Sequence, residues 1–318
     1  MKRFAALLLP FIITTAMAKD APVFDPAADA GDLATSFIEV DNLEALAGVK
    51  RVAISQFRVE FAVENSAKAT SSTNTGWTST RSQVKLVGVP TETLQQVADA
   101  LQDRLVEDLA RAGIEVISHD LVKENAAYKS LAPVLRTSSE PLGTQTGKSV
   151  FIGGHGTPYY LTNDDKHLGL GTMLGGFSTT QPQNIEPSMA KELDATVLRV
   201  TVMVAFADQK TSGGMFRSSS SVDTELGLTI IPKITGMLAI TPGSGKARAT
   251  LGESIVMGNE IFELRTAKKE GYSILSGVYG DKKYEAVTTP EAYSGLVTRY
   301  GQAVQAAIVA AIRGGMTQ

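Results

Sequence analysis

Val49-Lys50-Arg51-Val52-Ala53-Ile54-Ser55-Gln56-Phe57-Arg58-Val59-Glu60-Phe61-Ala62-Val63 is the stretch whose reading decides the fold. Phe57, Val59, Phe61 and Val63 alternate with Gln56, Arg58, Glu60 and Ala62, the period-two pattern of a strand with one buried and one wet face. The polar stretch that follows, Glu64 to Ser82, is rich in Ser, Thr and Asn and holds Trp77, the single tryptophan of the chain. It reads as the tip of a long hairpin that returns along Val84 to Val89, with Trp77 exposed or a contact residue.

Downstream of this hairpin the period changes to that of a helix. Leu94, Val97, Ala98, Leu101, Leu105, Leu109 and Ala112 recur at spacings of three and four, which predicts a helix over 92–112 with Thr91 as N-cap and Gly113 after its end. Asp99, Gln102, Asp103, Arg104 and Asp108 fall on the opposite, wet face. Ile114 to Ile117 reads as a short strand, and Ser118 caps a second helix reaching about Leu131, before Pro133. His119, at that helix start, reads as a surface residue. A helix between strands favours a sheet with helices packed on it, so the fold class is α/β or α+β: a mixed β-sheet with packed helices and long β-hairpins.

Farther along, Val150 to Ile152 is a short strand, and a glycine-rich insertion at about 153–187 follows it. Seven glycines, two histidines and Tyr159-Tyr160 lie there without any period. A loop of that length with little regular structure is usually functional or partly disordered. Alternation returns with Leu198, Val200, Val202, Val204 and Phe206, then with Val222, Thr224, Leu226, Leu228 and Ile230, a second long hairpin. A third spans Ile234 to Met257 through the turn Pro242-Gly243-Ser244-Gly245. Pro290 opens a last helix whose stripe, Leu296, Val297, Tyr300, Val304, Ile308 and Ile312, runs up to Gly314-Gly315.

The N-terminus carries an address. Lys2 and Arg3, the apolar run Phe4 to Thr15 and Ala16-Met17-Ala18 have the order of a signal peptide over 1–18, cleaved near Ala18/Lys19. Residues 19–48 then read as an extended segment with one short helical turn around Asn42 to Leu46, and 49–318 as a single α/β domain. The chain has no cysteine, which excludes disulfides and thiolate sites and leaves packing to hold the core. Removing Lys2 and Arg3 from 30 basic residues leaves 28 against 33 acidic ones, a formal charge of −5. With no basic stripe, a nucleic-acid partner is not expected. The expected location is the periplasm or the medium, with no helix or lipid anchor predicting membrane attachment.

Several stretches imitate catalytic motifs. Gly143-Thr144-Gln145-Thr146-Gly147-Lys148-Ser149 has three residues between its glycines where a phosphate-binding loop needs four, and no buried strand precedes it. Gly243-Ser244-Gly245-Lys246 ends in Ala247, where the magnesium-binding hydroxyl belongs. His155, His167 and Asp164-Asp165 are the one cluster of residue types able to hold a transition metal, yet their spacing matches no ligand pattern. No Gly-x-Ser-x-Gly elbow exists. No catalytic, cofactor-binding or metal residue is therefore assigned, no cofactor is expected, and the chain does not read as an enzyme.

The segment Val49 to Phe57, the helix Leu101 to Ala110, Gly113-Ile114-Glu115-Val116-Ile117 and Asp194-Ala195-Thr196-Val197-Leu198-Arg199-Val200 together resemble the CsgG-like and TolB-N-terminal-like periplasmic domains in element order and apolar pattern. The resemblance implies an envelope protein that works by assembling with itself or other envelope proteins and has no active site. The expectation is thus a periplasmic assembly or scaffold protein, a homo-oligomer or partner binder acting through hairpins and strand edges. In the curli-secretion branch such hairpins insert together as a secretion pore; here Phe57, Val59, Phe61 and Val63 would face lipid. A second alternative is a carrier of a small apolar ligand, in which Tyr159, Tyr160 and Phe177 of the insertion lie over a pocket. Trp77, Tyr159, Tyr160 and Phe177 are accordingly the candidate ligand or partner contacts.

Overall fold

The computed structural model describes residues 22–73, 76–169, 181–212, 214–215, 221–243, 245–267 and 282–316. The expected signal peptide and Phe177 lie outside them, as does the Trp77 side chain. In chain order come α1 (Ala30–Phe37), β1 (Ile38–Asp41), a 3₁₀ turn Leu43–Leu46, β2 (Arg51–Thr73), β3 (Gly76–Val87), α2 (Thr91–Arg111) and β4 (Glu115–Ile117). Next are α3 (His119–Glu124), α4 (Ala126–Lys129), β5 (Leu142–Gly143), β6 (Gly147–Gly153), α5 (Pro182–Leu193), β7 (Thr196–Ser212), β8 (Gly214–Met215) and β9 (Ser221–Ile230). The chain closes with β10 (Gly236–Ile240), β11 (Lys246–Leu251), β12 (Ile255–Gly258), β13 (Glu263–Thr266), β14 (Lys282–Val287) and α6 (Pro290–Met316). The strands join in one mixed sheet whose main path is β1-β11-β10-β7-β2-β3-β14-β13. The α/β class with packed helices and long hairpins is therefore the observed architecture.

β2 organises everything. Along its length it pairs in parallel with β4 and β7, then antiparallel with β6 and β3. Its register against β7 slips at Ser55, where Ile54 faces Leu198 and Gln56 faces Arg199. A bulge of this kind turns the strand by one residue, so Val52 and Ile54 share a face with Phe57, Val59 and Phe61 despite their opposite parity. That face packs under α1, α2 and α6; Phe61, for example, lies 6.5 Å from Tyr293 of α6 between ring centroids. Phe57, Val59 and Phe61 are buried by this layer, which overturns the reading in which they face lipid.

The opposite face is not wet either. Near the start of β2, Ala53 joins Tyr128, Leu131, Met189, Val197 and Ile240 in a second core beneath α4 and α5. Beyond it, Gln56, Arg58 and Glu60 are buried under the insertion. The expectation of one wet face fails because alternation reports polarity, and here the cover supplies polar partners.

Other departures have local causes. Residues 19–48 are not simply extended: Asp29 caps α1 through Gly31 N and Asp32 N, Phe37 packs edge-on against Phe24, and β1 pairs with β11. Glu64 to Ser82 is mostly paired strand, running in register from Glu64↔Lys85 to Thr73↔Gly76, because alternating Ser, Thr and Ala fit a pleat as well as a loop. The helix expected from Ser118 to Leu131 breaks at Asn125, whose extended backbone and side-chain bond to Tyr128 N start α4 anew. Asp108, expected wet, is buried between Arg104 and Arg111. The last helix continues through Gly314-Gly315 to Met316, since Gly315 lies against Leu43, where a Cβ would stand 2.6 Å from a carbonyl oxygen.

Candidate functional site

The bulge at Ser55 sends Arg58 and Glu60 of β2 onto the face covered by the insertion, where they are 3% and 0% exposed. Arg58 forms a two-pronged ion pair with Asp165 and donates to Tyr160 O at 3.0 Å, while its guanidinium lies 5.5 Å from the Phe151 ring centroid. Asp165 also accepts from Thr162 N at 2.7 Å. Burial opposes ionisation of Asp165, but Arg58 and the Thr162 N–H outweigh it and hold the carboxyl below its usual range. Burial likewise works against the charge on Arg58, and Asp165 with Glu60 reverses the balance and raises it.

A second knot adjoins the first. Arg199, near the start of β7, reaches Asp164 at 2.6 Å and Glu186 of α5 at 3.4 Å. Glu186 is fully buried and accepts the Tyr160 hydroxyl at 2.8 Å. Burial pushes its carboxyl above the ordinary value, with Arg199 pulling back, and burial together with Glu186 pushes the Tyr160 hydroxyl well up. Between the knots opens a cleft of about 80 Å³ edged by Arg58, Arg199, Lys233 and Arg248.

The candidate metal cluster is pulled apart by these pairings. His167 contacts Glu60 at 2.7 Å, His155 contacts Asp103 of α2 at 2.7 Å, and Asp164 and Asp165 each face arginines. Among the described residues no group of three or more His, Asp or Glu side chains is placed to hold a metal. The phosphate-loop imitation at Gly143 to Ser149 is the hairpin between β5 and β6, with Thr144 N bonded to Gly147 O.

Tyr159 and Tyr160 are both buried. Tyr159 stacks on Phe151 and its hydroxyl donates to Ser138 O, while Tyr160 bonds Ser55 and Glu186. Neither lines the cleft. Gln56, Arg58, Glu60, Glu186 and Arg199 are the chemically rich residues that the sequence does not single out. For Arg58, Glu60 and Arg199 the signal was a charged side chain amid apolar strand residues, as with Arg199 inside Val197-Leu198-Arg199-Val200; Gln56 and Glu186 carry no such signal.

The sheet ends and the hairpin arms are the other surfaces of note. β1 and β13 end the main strand path, and Val40 on β1 and Leu264 on β13 are 47% and 45% exposed. The arms β2–β3 and β7–β9 lie against each other through Ser82, Gln209 and Thr224, whose mutual contacts are 3.2 and 3.3 Å. No family model matches the chain, and no match was found among curated proteins or solved structures.

Proposed function

We propose that this is an exported, non-enzymatic assembly or scaffold protein of the cell envelope, which captures a second copy of itself or a partner strand through the open edges of its sheet. The carrying observation is the pair of edge strands β1 and β13, each with an exposed apolar side chain, Val40 and Leu264, on a strand that among the described residues has one neighbour on the sheet path. A strand edge without a partner offers a row of N–H and C=O groups to another chain, and exposed apolar residues add burial when that chain arrives. The two edges differ in sequence, Ile38-Glu39-Val40-Asp41 against Glu263-Leu264-Arg265-Thr266. Pairing of unlike edges is head-to-tail and builds rings or filaments.

The buried ion pairs support the same reading. Acids that would serve as general base or metal ligand are committed to arginines, which locks the insertion onto the sheet. The resemblance to CsgG-like and TolB-N-terminal-like domains points the same way, and the leader-like residues 1–18 supply the export.

Native mass spectrometry and sedimentation velocity on the mature protein test the proposal. The wild type is expected to self-associate, and Val40→Lys and Leu264→Lys, which place a charge on each edge, are expected to release monomers. N-terminal sequencing is expected to find Lys19. A cytosolic protein with Met1 intact would end the export reading, and a monomer at high concentration with no crosslinked envelope partner would end the assembly reading.

A further inference from the structure

On one side of β2 the ladder is interrupted. β4 pairs with Arg51 to Ala53, β6 takes over only at Arg58, and among the described residues Ile54 to Phe57 have no strand neighbour on that side. The gap opens into a cavity of about 240 Å³ bounded by β2, α2, β4 and the start of α3. Its walls are apolar where Ile54, Phe57, Val106 and Ile117 meet, and Ser118 stands exposed at its rim.

Three buried polar atoms of the lining have no hydrogen-bond partner among the described residues: Gln56 Nε2, Gln102 Oε1 and His119 Nε2. Gln56 is 2% exposed, and its amide orientation is fixed because Oε1 accepts from Tyr160 N at 2.6 Å, leaving Nε2 as a donor. Gly154 presses on Gln102, where a Cβ would stand 2.1 Å from Oε1. Contrary to the surface reading, His119 is half-buried with its ring edge-on to Tyr128. Burial, then Lys123, lowers its pKa against a smaller opposing pull from Asp120, which favours neutral imidazole. An unpaired donor and acceptor in one cavity are costly unless something occupies it, and the volume far exceeds that of a single bridging water.

We propose that this gap is a binding site for a small uncharged heteroaromatic ring carrying both a carbonyl acceptor and an N–H, a nucleobase-like or cyclic-amide molecule. Gln56 Nε2 donates to its carbonyl, Gln102 Oε1 accepts its N–H, and neutral His119 completes the polar edge while Ile54, Phe57 and Val106 cover the ring. The lining contains no cationic side chain to welcome an anion. This inference is independent of the assembly reading, since the cavity involves neither sheet edge.

Uracil, benzene and benzoate serve as probes of the full mature chain, by saturation-transfer NMR and titration calorimetry. Uracil is expected to bind, and benzene and benzoate more weakly or not at all. Gln102→Leu is expected to weaken uracil about tenfold or more, the size of one lost buried hydrogen bond, and Val106→Phe to abolish binding by filling the cavity. Circular dichroism melts establish that the variants are folded; if either is not, the His119 ring resonances of the wild type are expected to shift when uracil is added. Absence of uracil binding, benzene binding as tight as uracil, binding that ignores both substitutions, or unmoved His119 resonances would each overturn the site.

Discussion

Arg58 shows how much one side chain can commit. Placing a guanidinium in a protein interior is costly, and the cost is offset to the extent that its charge and donors are engaged. Asp165 and Tyr160 O of the insertion and the Phe151 ring of β6 engage the charge and two of the nitrogens, while the buried Nε has no partner among the described residues. Asp165→Asn removes the counter-charge hydrogen-bonded to the guanidinium, and breaking a buried pair in this way costs about 3–5 kcal/mol near neutral pH. The pH dependence follows in sign. The native Asp165 carboxyl titrates below the ordinary value of 3.8, so its stabilisation is complete above that value and is lost as pH falls through the lower native value. The gap between wild type and Asp165→Asn in urea melts should therefore be full at pH 7 and narrow in that acid range; a gap independent of pH would mean that the carboxylate charge is not what holds Arg58. None of this was legible in the alternation of β2, because a pattern distinguishes polar from apolar but not solvent from a polar lid. The insertion that forms the lid has no period to read, and its decisive residues, Asp165 and Tyr160, act one at a time.

The best-read element is α2, and the reason is physical. Seven apolar residues at helical spacing demand one burial geometry, and six of them, Leu94 to Leu109, are buried as the spacing requires. Leu105 lies in the core with no exposed surface, so Leu105→Ala removes burial and leaves a cavity, costing about 2–5 kcal/mol. Asp103 is exposed and pairs with His155, and Asp103→Ala is expected to cost less than about 1 kcal/mol. Equal effects of the two in chemical denaturation would show that the helix packs by another face. Elements held by single contacts were harder to read. The split between α3 and α4 depends on Asn125, which caps one backbone N–H and donates to Glu192 of α5, a partner distant in the chain. α1 escaped notice because Ala and Asp dominate its neighbourhood, while the residues that dock it, Leu33 and Phe37, are too few to set a period.

At the scale of the whole molecule, an apolar body continues into two strand arms of different chemistry. The body is held by the core under α1, α2 and α6. The arm β2–β3 beyond Glu64 instead meets β7–β9 through Asn65, Ser82, Gln209 and Thr224. Neutral hydrogen bonds of this kind replace bonds to water, and each is worth about 1 kcal/mol net. Replacing residues 68–81 by Asn-Gly joins Ala67 to Ser82, which already face each other in the ladder, through a two-residue turn that suits antiparallel strands. The shortened chain loses the Ser71 and Ser72 pairing to β8 but keeps the body intact. Its thermal midpoint should fall by only about 2–4 °C for each kcal/mol removed. If the arm takes part in assembly, its loss shrinks the oligomer in sedimentation velocity; if the edges alone join subunits, the oligomer persists and only the Val40 and Leu264 substitutions dissolve it. A midpoint that collapses by tens of degrees would instead make the arms part of the folding core, and the separation between an apolar body and two hydrogen-bonded arms would have to be abandoned.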